Sequence, residues 1–107
     1  MLKEDIKNRI IESLKPYNPE KIILFGSFAY GKPVDGSDID LLIIKDLNEN
    51  EVRPYRVMLK KELVKNFKGS SIYFDVLVDS EQRINNRIEI GDLFYGEIYN
   101  KGQVIYA

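Results

Sequence analysis

Two unbroken apolar runs, Ile22-Ile23-Leu24-Phe25 and Leu41-Leu42-Ile43-Ile44, restrict the fold of this chain more than any other feature. Each is short, rich in isoleucine and leucine, and bounded by charged or turn-forming residues, which selects a strand over a helix. Neither alternates as a strand with one wet face would, so the second run reads as a central strand covered on both sides. Helices must supply that cover. Leu2, Ile6, Ile10, Ile11 and Leu14 recur at helical spacing until Pro16 and Pro19 block continuation. Val52, Tyr55, Leu59, Leu63 and Phe67 step in the same way between Asn48 and Phe67, with Met58 and Val64 widening the stripe and Pro54 expected in the first turn. A strand over Ser71 to Val78, an ambiguous stretch from Asp79 to Glu89, a helix from Ile90 to Asn100 and a last strand from Gln103 to Tyr106 complete the pattern. The sum is a single α+β domain over residues 1–107, a small mixed β-sheet flanked by helices.

Composition then limits the chemistry. With neither His nor Cys among 107 residues, a Ser-His or Cys-His nucleophile pair, a conventional zinc cluster and a disulfide framework are all excluded. Acid–base and metal work falls to carboxylates. The formal net charge of −1 argues against broad binding to nucleic acid or to an anionic membrane. No apolar run approaches the roughly 20 residues that span a bilayer, and Met1 to Asp5 reads as a charged helix start and not as a secretion signal. The expected location is cytoplasmic.

The chemistry-bearing stretch is Gly26-Ser27, ten residues, then Asp38-Ile39-Asp40. Along an extended strand Asp38 and Asp40 project from one face, about 7 Å apart at roughly 3.3 Å per residue. Carboxylates so placed can grip one hard cation or straddle two, and two ions about 4 Å apart stabilise both the attacking and the leaving oxygen of a phosphoryl displacement. A pair of solvated acids at a strand mouth is the plain alternative. Gly26, directly after a buried strand, lets the backbone approach a phosphate closely, and Ser27 adds a hydroxyl and a main-chain donor at the start of a short helical turn; an ordinary tight turn capped by Ser27 would look the same. Lys32 reads as solvated. Asp75, alone in the apolar run Tyr73 to Val78, needs a reason for its charge. If the long helix is a crossover that lays this strand beside Asp40, Asp75 joins the carboxylates and can accept a proton from an attacking hydroxyl; otherwise it is salt-bridged or exposed at an edge.

Taken together, these motifs resemble the minimal nucleotidyltransferases of the DNA polymerase β-like superfamily, the small type encoded beside HEPN-domain proteins. The resemblance runs from the first strand to the closing Gly102-Gln103-Val104-Ile105-Tyr106. It implies a polymerase β-like fold in which Gly26 and Ser27 contact the phosphates of ATP. By the same resemblance Asp38, Asp40 and Asp75 are the catalytic carboxylates and the ligands of Mg²⁺, two ions in all. The implied activity is transfer of AMP to a hydroxyl of a macromolecule, namely a HEPN toxin modified on tyrosine by this chain as antitoxin. A single sheet with its helices leaves little room for a dedicated acceptor pocket, in keeping with a macromolecular acceptor. One departure stands out: many relatives carry Arg at the place of Phe28 or Tyr30, and its loss leaves more of the triphosphate's charge to metal and backbone donors. A catalytically weak, nucleotide-binding antitoxin that neutralises its partner by contact is therefore the alternative. Transfer to a small molecule or an RNA end is less well supported. Leu93, Phe94 and Tyr99 are candidates for a partner or homo-oligomer surface, or for the core.

Overall fold

The computed structural model describes residues 2–107. In chain order it contains α1 (Glu4–Leu14), β1 (Lys21–Phe25), α2 (Ser27–Tyr30), β2 (Ile39–Ile44), α3 (Glu49–Asn66), β3 (Phe74–Asp79), α4 (Glu81–Glu89), α5 (Leu93–Lys101) and β4 (Gln103–Tyr106), with a 3₁₀ turn at Lys15–Tyr17. The strands form one sheet in the order β3-β2-β1-β4. β1 runs antiparallel to both β2 and β4, whereas β2 and β3 are parallel. The connections explain this mixture. The segment from Gly26 to Asp38, which includes α2, reverses the chain between β1 and β2, but a parallel neighbour needs a crossover, and α3 provides it.

Both faces of the sheet are covered, as the apolar runs require. On one face Ile10 and Leu14 of α1 and Leu59 and Leu63 of α3, with Phe67, pack on Ile22, Leu24, Ile39, Leu41 and Ile43. On the other, Ile84 of α4 and Ile98 of α5 cover Ile23, Phe25, Leu42 and Ile44. Each such fully buried side chain contributes roughly 1.5–3 kcal/mol of transfer free energy. Among the described residues no helix is long and apolar enough to cross a membrane.

Local signals set the element ends, and several depart from expectation. Met58 and Val64 do not join the buried stripe of α3; they are 48% and 64% exposed. Each neighbours a buried leucine in sequence, about 100° away around the helix, and a helix lying on a flat sheet buries a single stripe. Pro54 sits beyond the first turn, as the sixth residue of α3. Its missing N–H leaves the Asn50 carbonyl without a helical donor, but both residues are exposed and water can serve. The start of α3 is fixed by the Glu51 carboxylate, which accepts the Asn48 backbone N–H at 2.9 Å. The ambiguous stretch after Asp79 is helical because Ser80 caps it, its hydroxyl accepting the Arg83 N–H at 3.1 Å. The helix expected from Ile90 begins only at Leu93: Gly91 has φ 97° and breaks it, and the Asp92 carboxylate caps the new start by accepting the Tyr95 N–H at 3.0 Å. Leu93 and Phe94 remain 87% and 53% exposed, while Tyr99 is half-buried against the core.

Candidate active site

One edge of the sheet gathers the end of β1 and the beginnings of β2 and β3. There Phe25 is the cross-strand partner of Asp40, and Asp40 is the partner of Asp75. Partners in a parallel pair point to the same face from strands about 4.8 Å apart, so the crossover brings Asp75 beside Asp40. Asp38 precedes β2 by one residue and lies exposed at the rim; Asp40 is half-buried and Asp75 exposed. Burial, and after it the negative charges of Asp75 and Asp38, hold the Asp40 carboxyl above the ordinary carboxylate range. Among the described residues no ion pair neutralises any of the three.

The turn after β1 is built around Gly26, whose φ of 75° and ψ of −155° belong to a region open essentially only to glycine. Its carbonyl accepts the N–H groups of Ala29 and Tyr30, both at 3.0 Å, which starts α2. The amides of Ser27 and Phe28 are left without a backbone acceptor among the described residues. A β-carbon on Gly26 would run into the Asp40 carboxylate. The turn and the acidic pair are thus one packed unit. Phe28 packs into the α1/α3 core layer and Tyr30 into the α4/α5 layer, and the Lys101 ammonium stands 6.0 Å from the Tyr30 ring centre. Lys32 is exposed, as expected, and the Ser37 hydroxyl accepts the Val34 N–H at 2.9 Å, folding the loop that leads to Asp38.

The sequence profile of the polymerase beta nucleotidyltransferases matches residues 8–107. This chain belongs to that family. A Methanocaldococcus jannaschii protein named "Putative protein adenylyltransferase" is 32% identical to this nucleotidyltransferase over 87 residues, covering 81% of this chain and 78% of its own. A crystal structure described as a toxin-antitoxin with AMP-PNP superposes with a TM-score of 0.58 at 21% identity, over 94% of this chain and 73% of that one. A crystal structure described as a putative nucleotidyltransferase matches with a TM-score of 0.44 at 27% identity, covering 79% of this chain and 87% of that one. The α+β architecture with a mixed sheet is the family's fold.

Nucleotidyltransferases generally act on nucleoside triphosphates with Mg²⁺, and the residues at this edge can be tested against that requirement. All the donors are carboxylate oxygens, the set that suits a hard cation, and the like charges around half-buried Asp40 are what a cation would relieve. Among the described residues, however, no three acidic side chains already close around a common point. The chemistry fits Mg²⁺, and closure would require side-chain rotation about Asp38 or Asp75, both exposed and free to turn. This nucleotidyltransferase has a further feature that sequence reasoning missed: a cleft of about 540 Å³ that opens beside Asp38 between the C-terminal part of α3 and the start of β3. Its only trace in the sequence is the run of lysines in α3.

Proposed function

We propose that this nucleotidyltransferase transfers AMP from ATP, with Mg²⁺, to a hydroxyl of a macromolecule, a partner toxin of the HEPN type, and so serves as an antitoxin by protein adenylylation. The observation that carries this reading is the pairing of Asp40 with Asp75 beside the Gly26 turn. The name of the archaeal relative supports a protein acceptor, and the toxin-antitoxin neighbour with its ATP analogue motivates the partner and the donor.

In this reading the free amides of Ser27 and Phe28, with the Ser27 hydroxyl, hold the phosphate tail against the turn. Asp38, Asp40 and Asp75 would hold Mg²⁺, which when bound supplies charge neutralisation for the phosphates. Asp75, on the side away from the turn, accepts the proton of the attacking hydroxyl and releases it to solvent. The acceptor oxygen bonds to the α-phosphorus as the bond from that phosphorus to the bridging oxygen breaks, and pyrophosphate leaves. The packing of Phe28 and Tyr30 where relatives present a cation favours a second reading, a weakly catalytic antitoxin that acts by contact. One experiment separates the two. Wild type and Asp40→Asn are incubated with Mg²⁺, α-phosphate-labelled ATP and the purified partner toxin, and label and complex formation are measured together. Transfer by wild type, with a loss of about 100-fold or more in the variant while the complex persists, supports the enzyme. Complex formation by both proteins without label supports contact alone.

A further inference from the structure

Resting on the reading of this site as a nucleotidyltransferase, we infer that its acceptor is a protein with an acidic docking segment, seated in the cleft at the open edge of β3 against the lysine face of α3. The direction of attack comes first. Phosphoryl transfer places the attacking and leaving oxygens roughly in line. With the phosphate tail at the turn after β1, the leaving group lies on the β1 side and the acceptor hydroxyl must enter from the opposite side. Passing from β1 through β2 to β3 leads from Gly26 past Asp40 to Asp75 and then off the sheet, because β3 is an edge strand. The cleft opens beside that edge on the α3 face of the sheet, where Phe74 packs, whereas Asp40 and Asp75 lie with Phe25 on the α4/α5 face; the two faces meet at the strand starts, where Asp38 lines the cleft. Asp38 forms one wall, and Lys60, Val64, Lys68, Tyr73 and Phe74 form others.

The lining identifies the occupant. Tyr73 and Val64 are 66% and 64% exposed, an apolar floor for a side chain from outside. Between Lys60 and Lys68 this stretch carries Lys60, Lys61, Lys65 and Lys68 against the single carboxylate of Glu62, which accepts the Tyr17 hydroxyl at 3.2 Å. None of these four lysines has an ion-pair partner among the described residues. In a chain of net charge −1 this is a local concentration of positive charge, and it continues onto a neighbouring groove lined by Val57, Lys61, Val64 and Lys65. Aliphatic contacts between the lysines suit a polypeptide better than a sugar–phosphate backbone. Carboxylates of the segment would meet Lys60 and Lys68, an apolar side chain would rest on Tyr73 and Val64, and the reactive hydroxyl would round the strand starts at Asp38 to reach Asp75 on the other face.

The test measures binding apart from catalysis, on the full chain at low ionic strength, by anisotropy of a fluorescein-labelled Glu/Tyr copolymer. Wild type should bind this copolymer in preference to a Lys/Tyr copolymer. Lys60→Glu combined with Lys68→Glu should weaken binding about tenfold or more, and Tyr73→Ala should also weaken it. Both sites are solvent-facing, and far-ultraviolet circular dichroism checks that the variants are folded. The double variant should bind ATP within about twofold of wild type, because its lysines lie on the acceptor side. The inference is overturned if wild type ignores the Glu/Tyr copolymer, if the charge reversal leaves its binding unchanged, or if polyuridylate displaces it and proves the better ligand. Failure of wild type to bind ATP would instead overturn the nucleotidyltransfer reading, whatever the copolymer does.

Discussion

Gly26→Ala is the substitution whose cost can be worked most directly from the structure. At φ 75° and ψ −155° an L residue is strained by roughly 1–3 kcal/mol. The added β-carbon also meets the Asp40 carboxylate, which must be displaced, and such overpacking costs a further 1–3 kcal/mol or so. A loss of about 3–4 kcal/mol is expected, a large share of the 5–15 kcal/mol typical of a whole domain. At about 4 °C per kcal/mol for a chain of this size, the melting temperature should fall by some 12–16 °C. Gly36→Ala is the control, since Gly36 also has a positive φ, 86°, but nothing within 4 Å of an added β-carbon, so only strain of about 1–2 kcal/mol applies. Urea unfolding followed by far-ultraviolet circular dichroism suits a chain without tryptophan. Adding Asp40→Ala removes the object of the collision, and the double variant should recover about 1 kcal/mol or more relative to additivity. Equal losses at Gly26 and Gly36, or strict additivity with Asp40→Ala, would refute the claim that turn and carboxylate are one packed unit.

Two further outcomes follow from the same structure. Because the folded chain holds the Asp40 proton more tightly than the unfolded chain does, the group's contribution is most favourable at acid pH and is lost as pH rises from the ordinary carboxylate value through the raised folded one. Asp40→Asn should therefore raise the melting temperature at neutral pH and flatten its pH dependence in that window, and Mg²⁺ should stabilise wild type more than the variant; a variant that melts below wild type at neutral pH contradicts this. Tyr95→Phe removes the hydroxyl that donates to Asp79 at 2.7 Å and should cost about 1.5–3 kcal/mol in urea unfolding; a loss below roughly 0.5 kcal/mol would mean that Arg83 and the Ser80 N–H hold Asp79 without it.

What was legible in the sequence was whatever depends on short-range pattern. β1 falls where its apolar run and Gly26 place it, because a buried strand is apolar along nearly its whole length, and half-exposed β4 falls where Gly102 and its β-branched residues place it. α4 was not legible, since Ile84 and Ile88 are its only apolar residues; its signal is the Ser80 cap, a polar contact that shows no periodicity. The acidic pair divides in the same way. That Asp38 and Asp40 lie close enough for one charge to act on the other follows from their spacing, but the nearness of Asp75 depends on the register of β2 against β3, and a slip of one residue would turn Asp75 to the opposite face. The cleft beside Asp38 belongs to no local pattern. It exists because α3 ends over the edge of the sheet, where β3 has no outer neighbour.

The absence of arginine from the turn and the packing of Phe28 and Tyr30 are two sides of one arrangement. Gly26 must hold a conformation that only glycine tolerates while lying against a half-buried carboxylate, and α2, at four residues, is too short to be stable alone. Two aromatic side chains reaching into opposite core layers fix such a turn from both flanks. An arginine at either position would exchange burial on one flank for a positive charge at the turn. This chain keeps the burial. In the proposed reading, attraction for a triphosphate at the turn would rest on backbone amides and on a cation held by the aspartates, while the lysines between Lys60 and Lys68 would draw the acceptor without competing for the donor.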